Sequence, residues 1–134
     1  MIPKFRVWEP YYKKMFANDQ IIIWDGNVYV NDADKITVDN MKGWSIDDKY
    51  LMQSTGLFDR NGVEIFEGDI LKCTSFDGCL WCETVSWDST IAGFATQQNG
   101  YDATAIEYIT DSKAIAIEII GNVHQNPELV EELK

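Results

Sequence analysis

The chain has 134 residues, of which 46 % are hydrophobic and 13 % aromatic, and its 22 acidic and 11 basic side chains give a net charge of −11. This length and apolar content fit one compact domain and exclude a disordered chain. The acidity repels phosphate backbones, which disfavours direct binding of nucleic acid and favours a basic or neutral protein partner.

Short strands are predicted for the first third of the chain. Alternating polarity predicts a strand from Lys4 to Trp8, and the apolar runs Ile21 to Trp24 and Val28 to Val30 flank Asp25-Gly26-Asn27, a hairpin-type turn. The polar segment 31–49 is rich in Asp and Asn, which predicts a loop with one or two brief strands.

Turns dominate the next segment. A strand over 50–53 is expected to lead to a tight turn at 59–62, where Asn and Gly supply the positive φ angles that a reversal needs. We expect Phe58 and Ile65 to pack together across this turn. A second turn is predicted at 67–69, and a further strand follows it.

A hairpin is predicted around Asp77-Gly78, between strands over 70–75 and 81–87. A two-residue turn at this position pairs Cys73 with Cys82. Alternation along the second strand places one row of side chains toward the core. The row consists of Trp81, Glu83, Val85 and Trp87.

The cysteines raise the question of a metal site. Cys73, Cys79, Cys82 and the single histidine, His124, are four candidate zinc ligands. In the predicted hairpin Cys79 and Cys82 point to opposite faces, so they cannot share one metal ion. We expect free, buried thiols, no metal and no other cofactor.

The last third is predicted to be a loop, two strands and a helix. Segment 88–102 is interpreted as a long exposed connection or a loose hairpin. Ile106 to Thr110 and Ala114 to Ile120 are predicted to be a final pair of strands, the second with the apolar density of a buried central strand. Asn126-Pro127-Glu128 predicts the start of a short C-terminal helix.

The segment Leu51 to Leu71 resembles the signature of the YopX family, a T-G-L-x-D-x-N-G-x-x-I-x-E-G-D pattern. The residues that carry it are Thr55, Gly56, Leu57, Asp59, Asn61, Gly62, Ile65, Glu67, Gly68 and Asp69. The flanks Ile2 to Trp8 and Ile120 to Leu129 agree with the family as well, so the resemblance extends from one end of the chain to the other.

The resemblance implies a small protein encoded by a phage or prophage, with an α+β or mainly β fold that includes a small SH3-like barrel. It implies no catalytic residue, because no activity is established for the family. We therefore expect a single α+β, mainly β domain over 1–134. It would comprise N-terminal strands and a loop in 1–49 and a barrel-like part with the C-terminal helix in 50–134.

The residues themselves offer little for catalysis. An enzyme needs a nucleophile beside a base, paired carboxylates in a cleft or a metal cluster. His124 is interpreted as a packing or capping residue, Asp32 and Asp34 as members of a polar loop, and the acids of the signature as groups that cap turns. The prediction is a protein that is not an enzyme.

Three functions remain open at this stage. The favoured one is a non-enzymatic module that binds a host or phage protein or copies of itself; the alternatives are an acidic DNA mimic that inhibits a DNA-binding protein and a small metal-dependent hydrolase. The five tryptophans fit either an exposed binding face or a large aromatic core. Without an apolar run of roughly 20 residues or a signal peptide pattern, a cytoplasmic location away from membranes is expected.

Overall fold

The computed structural model describes residues 2–31 and 44–132 and divides the chain into two compact units, Met1–Ser54 and Thr55–Lys134. Both units are built mainly from antiparallel strands, which confirms the mainly β prediction. Most of the predicted polar loop, including Asp32 and Asp34, lies outside the described residues.

The first unit holds five strands and the beginning of a sixth among its described residues. They are β1 (Phe5–Glu9), β2 (Lys14–Phe16), β3 (Ile21–Trp24), β4 (Asn27–Val30), β5 (Trp44–Ile46) and the first half of β6 (Leu51–Phe58). Strand β1 pairs with β2 and with the first half of β6, and β4 lies between β3 and β5. Single 3-10 turns, Asn18–Gln20 and Asp48–Tyr50, precede β3 and β6.

The predicted hairpin between β3 and β4 is confirmed. Asp25 and Gly26 both have positive φ, 50° and 77°, so the connection is a two-residue turn of the mirror-image type that matches the twist of paired strands. In the pairing of β3 with β4, Trp24 lies opposite Asn27 and Ile21 lies opposite Val30.

The core of the first unit is small and centred on one aromatic ring. Val7, Phe16, Val28 and Val30 are buried almost completely. Trp44 meets the Phe16 ring edge to face, with the ring centroids 5.9 Å apart. Because so few side chains fill this core, each one carries a large share of the unit's stability.

The second unit contains the longer strands and the C-terminal helix. Its elements are the second half of β6, β7 (Glu64–Phe66), β8 (Asp69–Ser75), β9 (Leu80–Asp88), β10 (Gly93–Gln97), β11 (Thr104–Ala105), β12 (Ala114–Asn122) and α1 (Pro127–Glu132). Five strands form an antiparallel sheet in the order β11-β10-β9-β8-β12. The predicted helix is thus confirmed, and of the two readings of segment 88–102 the hairpin is correct.

One face of this sheet carries the core of the second unit. Ile65, Leu71, Cys73, Val85, Ile106 and Ile109 are buried together. The predicted row along β9 faces this side: Glu83 and Val85 are buried, while Trp87 packs edge to face on Phe94 and stays half exposed. No helix in the described part of the chain is long and apolar enough to cross a membrane.

The predicted register of the β8–β9 hairpin is wrong by one residue. Its loop has three residues, 76–78, because the Ser75 N–H donates to the Cys79 carbonyl, and Gly78 takes the positive φ of 89°. Cys73 therefore pairs with Trp81, and Cys82 pairs with Lys72 on the other face. Cys79 is exposed rather than buried.

The predicted pair of strands near the C-terminus is wrong in its first member. After the short β11 the chain forms a π-helical turn over Ile109–Lys113 instead of a strand. Strand β12 exists as predicted but lies at the edge of its sheet, and its Ile115 is 66 % exposed. A shift in register between Ala114 and Ala116 separates Ile115 from the core-facing Ile117 and Ile119.

Candidate functional site

The signature segment begins at the end of β6. Thr55 Oγ1 donates to the Ile65 carbonyl at 2.8 Å and accepts from the Leu57 N–H at 3.1 Å, which ties β6 to β7. Gly56 has a φ of +77° with open space around its Cα, so glycine is needed there for the backbone and not for packing. Leu57 packs against the core that holds Ile65, whereas Phe58, which was expected to pack on Ile65, is 61 % exposed.

Asp59 is the centre of the signature. One carboxylate oxygen accepts hydrogen bonds from the N–H groups of Asn61 at 2.8 Å and Val63 at 2.9 Å, which closes the predicted tight turn at Gly62. The other oxygen accepts from the Ile119 N–H on β12 at 3.1 Å, 60 residues away. Although burial acts to raise the pKa of Asp59, these three N–H groups and the charge of Arg60 lower it below its usual value.

The pKa of Asp59 predicts loss of stability in acid. A carboxylate whose pKa is lower in the folded state stabilises that state above its unfolded pKa, and the contribution disappears as the pH falls through the folded pKa. We expect the difference in unfolding free energy between wild type and Asp59→Asn to shrink as the pH is lowered from about 4. Urea unfolding at a series of pH values measures this difference, and a difference that is independent of pH would contradict the assignment.

The last part of the signature shapes the turn between β7 and β8. Gly68, with a φ of +84°, donates its N–H to the Val85 carbonyl at 2.8 Å and accepts from the Val123 N–H at 2.9 Å. Asp69 is buried and accepts from the Phe66 N–H at 2.8 Å, while Glu67 is half buried in the turn itself. These contacts join the β7–β8 turn to β9 and to the residue that follows β12, so the signature residues of this turn have a role in folding.

The candidate zinc ligands are buried to different extents and do not share one face of the sheet. Cys73 is in the core, Cys79 is exposed beyond the hairpin loop, and Cys82 lies on the opposite face of the sheet, where burial raises the pKa of its thiol. His124 donates its backbone N–H to the Asn122 side chain at 3.1 Å. Among the described residues no group of three or more His, Cys, Asp or Glu side chains is placed to hold a metal ion.

The second unit also has a polar pocket of about 440 Å³. It is lined by Glu83, Gln98, Tyr101, Asp102, Thr104 and Tyr108. Its size falls within the range of roughly 300–1,000 Å³ that is usual for small-molecule sites. Two carboxylates and two phenol rings in one pocket suit a ligand that carries positive charge.

Glu83 is the deepest carboxylate of this pocket, at 5 % exposure. Its Oε2 accepts a hydrogen bond from Trp81 Nε1 at 2.8 Å, a contact between side chains two residues apart on the same face of β9. The sequence pattern placed Glu83 in the core-facing row, but it did not show the pocket. The other lining residues come from 98–108, which the sequence assigns to a connection and a strand.

The first unit presents a different feature, an apolar strand at the edge of a sheet. Strand β3 pairs with β4 on one side, and among the described residues no strand pairs with its other side. Ile22, Ile23 and Trp24, here called the β3 edge patch, are all exposed, Trp24 to 74 %. The unpaired backbone groups of an edge strand are a template for pairing with another polypeptide, and β3 is such a strand, four residues long.

The tryptophans divide between the two roles that the composition left open. Trp8 is buried, Trp44 and Trp81 are partly buried against the two cores, and Trp24 and Trp87 are exposed. The aromatic content therefore serves both packing and surface.

Comparison with known proteins agrees with the sequence resemblance. The family model described as YopX protein matches residues 4–131. The crystal structure of protein EF1440 from Enterococcus faecalis is 27 % identical, with a TM-score of 0.60 over 97 % of this chain and 99 % of that one. Protein yopX from Bacillus subtilis is 26 % identical, with a TM-score of 0.59 over 94 % and 96 % of the two chains. No curated protein matches the chain.

Proposed function

Because the chain belongs to the YopX protein family, we propose that it is a non-enzymatic, cytoplasmic binding module that receives an extended segment of a partner protein at strand β3. The observation that carries this proposal is the β3 edge patch. Three consecutive large apolar side chains are exposed on a strand whose second edge is open among the described residues.

The backbone of β3 is arranged for strand addition. In a two-residue hairpin the residues that flank the turn exchange hydrogen bonds with each other, and the pattern then alternates along the strand. Trp24 and Ile22 consequently bond to β4, and the N–H and C=O groups of Ile23 point to the open edge. The C=O of Ile21 points there as well, whereas its N–H donates to the Asn18 carbonyl. The Asn31 N–H donates to the Gln20 carbonyl at 2.9 Å, which continues the same alternation.

The side chains of β3 offer contacts on both faces of such an added strand. Ile22 and Trp24 lie on the outer face together with Tyr29, which is directly opposite Ile22. Ile23 lies on the core-facing side beside Val28. An added strand gains main-chain hydrogen bonds from the edge and specificity from alternate side chains.

Charge favours a foreign partner over a second copy. A net charge of −11 repels other copies of the chain, attracts basic segments and does not repel neutral ones. The phage or prophage origin that the sequence resemblance implies makes a host or phage protein the expected partner. Of the alternatives, the DNA mimic rests on net charge and the hydrolase on acids that include Asp32 and Asp34, which lie outside the described residues. The SH3-like barrel for the second part of the chain stays a prediction.

We expect the double variant Ile22→Lys with Trp24→Lys to lose the partner while remaining folded, because both side chains point away from the core. A matched control is Phe76→Lys with Leu80→Lys, which adds the same charge at two exposed apolar residues of the β8–β9 hairpin. Each protein is used as bait in a lysate of cells that express it, and the retained proteins are identified by mass spectrometry.

The proposal is supported by a protein that wild type and control retain and the β3 variant loses, if binding also protects the Ile23 amide from hydrogen exchange. Retention that is equal for all three baits overturns it. Capture of only further copies of the chain would replace it with self-assembly, and capture of a basic nuclease that ignores the β3 change would replace it with DNA mimicry.

A further inference from the structure

We propose that the pocket on the second unit binds a guanidinium group, with the Glu83 and Asp102 carboxylates as its anionic partners. This site is on a different unit from the β3 edge patch, so the inference goes beyond the proposed function and does not depend on it. Six residues from β9, from 98–104 and from the segment before the π-helical turn line the pocket.

The Glu83 carboxylate is the first reason. It is almost completely buried, and the hydrogen bond from Trp81 occupies one of its two oxygens. An ionised carboxylate accepts up to about four hydrogen bonds, so it keeps unused capacity at the floor of the pocket. Buried carboxylates in proteins are normally matched by a cation, and none of the described lining residues is basic.

Thr96 supplies an independent second reason. It is fully buried, and its Oγ1 has no hydrogen-bond partner within the described structure. Its neighbours across the sheet are Val85, two residues from Glu83, and Thr104, which lines the pocket. Opposed residues in antiparallel strands project to the same face, so Thr96 lies on the same face of the sheet as Glu83 and Thr104, next to the lining residues and not among them. Buried hydroxyls without partners are rare in native proteins and call for an explanation.

The loop over the pocket is held in place before any ligand arrives. The Gln97 side chain donates to the Tyr101 carbonyl at 2.8 Å, and the Tyr101 N–H donates to the Gln98 carbonyl at 3.0 Å. Gly100, with a φ of +86°, makes this reversal possible. Three lining residues, Gln98, Tyr101 and Asp102, are therefore fixed on one short turn, which reduces the entropy lost on binding.

The lining groups select guanidinium among cations. Carboxylate, amide and hydroxyl oxygens are all acceptors, and a guanidinium offers five N–H donors in a planar fork. Tyr101 and Tyr108 add aromatic rings on which a weakly hydrated planar cation stacks better than an ammonium. Anions are disfavoured, because they would face Glu83 and Asp102 without a basic side chain among the described lining residues.

The test is a titration of the full chain followed by the indole N–H resonance of Trp81, which donates to Glu83 and is assigned with Trp81→Phe. The probes are agmatine, a blocked Gly-Arg-Gly peptide, and the same peptide with citrulline or lysine. Citrulline keeps the shape of arginine and removes its charge. Agmatine is a free guanidinium compound, and the peptide represents an arginine side chain of a partner.

We expect a saturable shift of the Trp81 resonance with agmatine, the arginine peptide or both, and roughly tenfold or weaker binding of the citrulline peptide. Stronger binding of agmatine identifies a free small molecule as the ligand, and stronger binding of the peptide identifies a partner's arginine. Either result supports the site.

Three variants distinguish binding in the pocket from a general attraction of cations to the acidic chain. Glu83→Gln should weaken binding about tenfold or more, because it removes the buried charge and keeps an acceptor for Trp81. Asp102→Asn lies on the exposed turn and keeps the test decisive if Glu83→Gln fails to fold. Glu107→Gln removes the same charge next to the pocket and should leave affinity within about twofold.

Any of three results would overturn the proposal. One is the absence of any saturable shift of the Trp81 resonance with the guanidinium probes. The second is equal weakening by Glu107→Gln and the two pocket variants. The third is equal binding of the arginine, lysine and citrulline peptides. Either of these patterns describes a non-specific attraction to an acidic surface.

Discussion

Replacement of Asp59 by alanine is expected to lower the free energy of unfolding of the second unit by about 3 kcal/mol. Three backbone N–H groups would lose their acceptor at a position that is 8 % exposed, where water cannot readily replace it. Asp59→Asn should cost about half as much, because the amide retains one acceptor oxygen. Denaturant unfolding measures the total, and hydrogen exchange of the Ile119 amide reports the long-range contact.

Asp88 provides the matched control for Asp59. It also accepts from groups two residues along the chain, the N–H and hydroxyl of Thr90, but it lies in a more exposed turn. Asp88→Ala should cost less than about 1 kcal/mol. If Asp59→Ala proved no more costly than Asp88→Ala, or if the Ile119 amide kept its protection, the central position of Asp59 would be refuted.

Phe16→Ala should destabilise the first unit by about 3–5 kcal/mol. The Phe16 side chain is completely buried, its ring meets Trp44, and it is the largest of the four buried side chains that form this core among the described residues. A cavity of that size in a small core removes a large share of the net stability. Phe16→Leu keeps most of the volume and should cost about 1.5 kcal/mol or less.

Methyl resonances distinguish the two units in this experiment. We expect Val7, Val28 and Val30 to lose their dispersed shifts in Phe16→Ala, while Val85 of the second unit keeps its own. Phe76→Ala, which removes a phenyl ring that is 89 % exposed, should change neither set. Retention of the first unit's methyl shifts in Phe16→Ala would show that another contact holds this core together.

Most strands and turns of this protein follow from local sequence patterns. The β3–β4 hairpin, the turn at 59–62 and the C-terminal helix were predictable because Gly, Asn and Pro act on the backbone within a few residues. The contacts of Asp59 with Asn61 and Val63 belong to this local group. Its contact with Ile119 does not, because no local pattern indicates which strand passes a turn 60 residues away.

The misassigned segment 106–110 shows the limit of periodicity. Its apolar and polar residues alternate well enough to suggest a strand, yet Ile106 and Ile109, three residues apart, are the two that are fully buried. That spacing belongs to a helical turn. Over five residues the period of a strand and the period of a helix are hard to tell apart, and packing against the core favours the helical turn.

The pocket could not be predicted for a related reason. Glu83 was correctly placed in the inward row of β9, but the residues that complete the site come from a turn and a segment that were misassigned or left open. An acid in an otherwise apolar row was the one available signal. It indicates a buried polar partner, without telling which segment supplies it.

The register of β8 with β9 restricts how relatives of this chain can diverge. Because neighbouring side chains along β9 face opposite ways, a slip of β9 by one residue along β8 would turn Glu83 and Val85 outward and bring Thr84 inward. A residue gained or lost between Ser75 and Cys79 should therefore be absorbed by the loop, with Thr74 still opposite Leu80. Relatives that differ in the length of this loop should keep an apolar residue at the position of Val85.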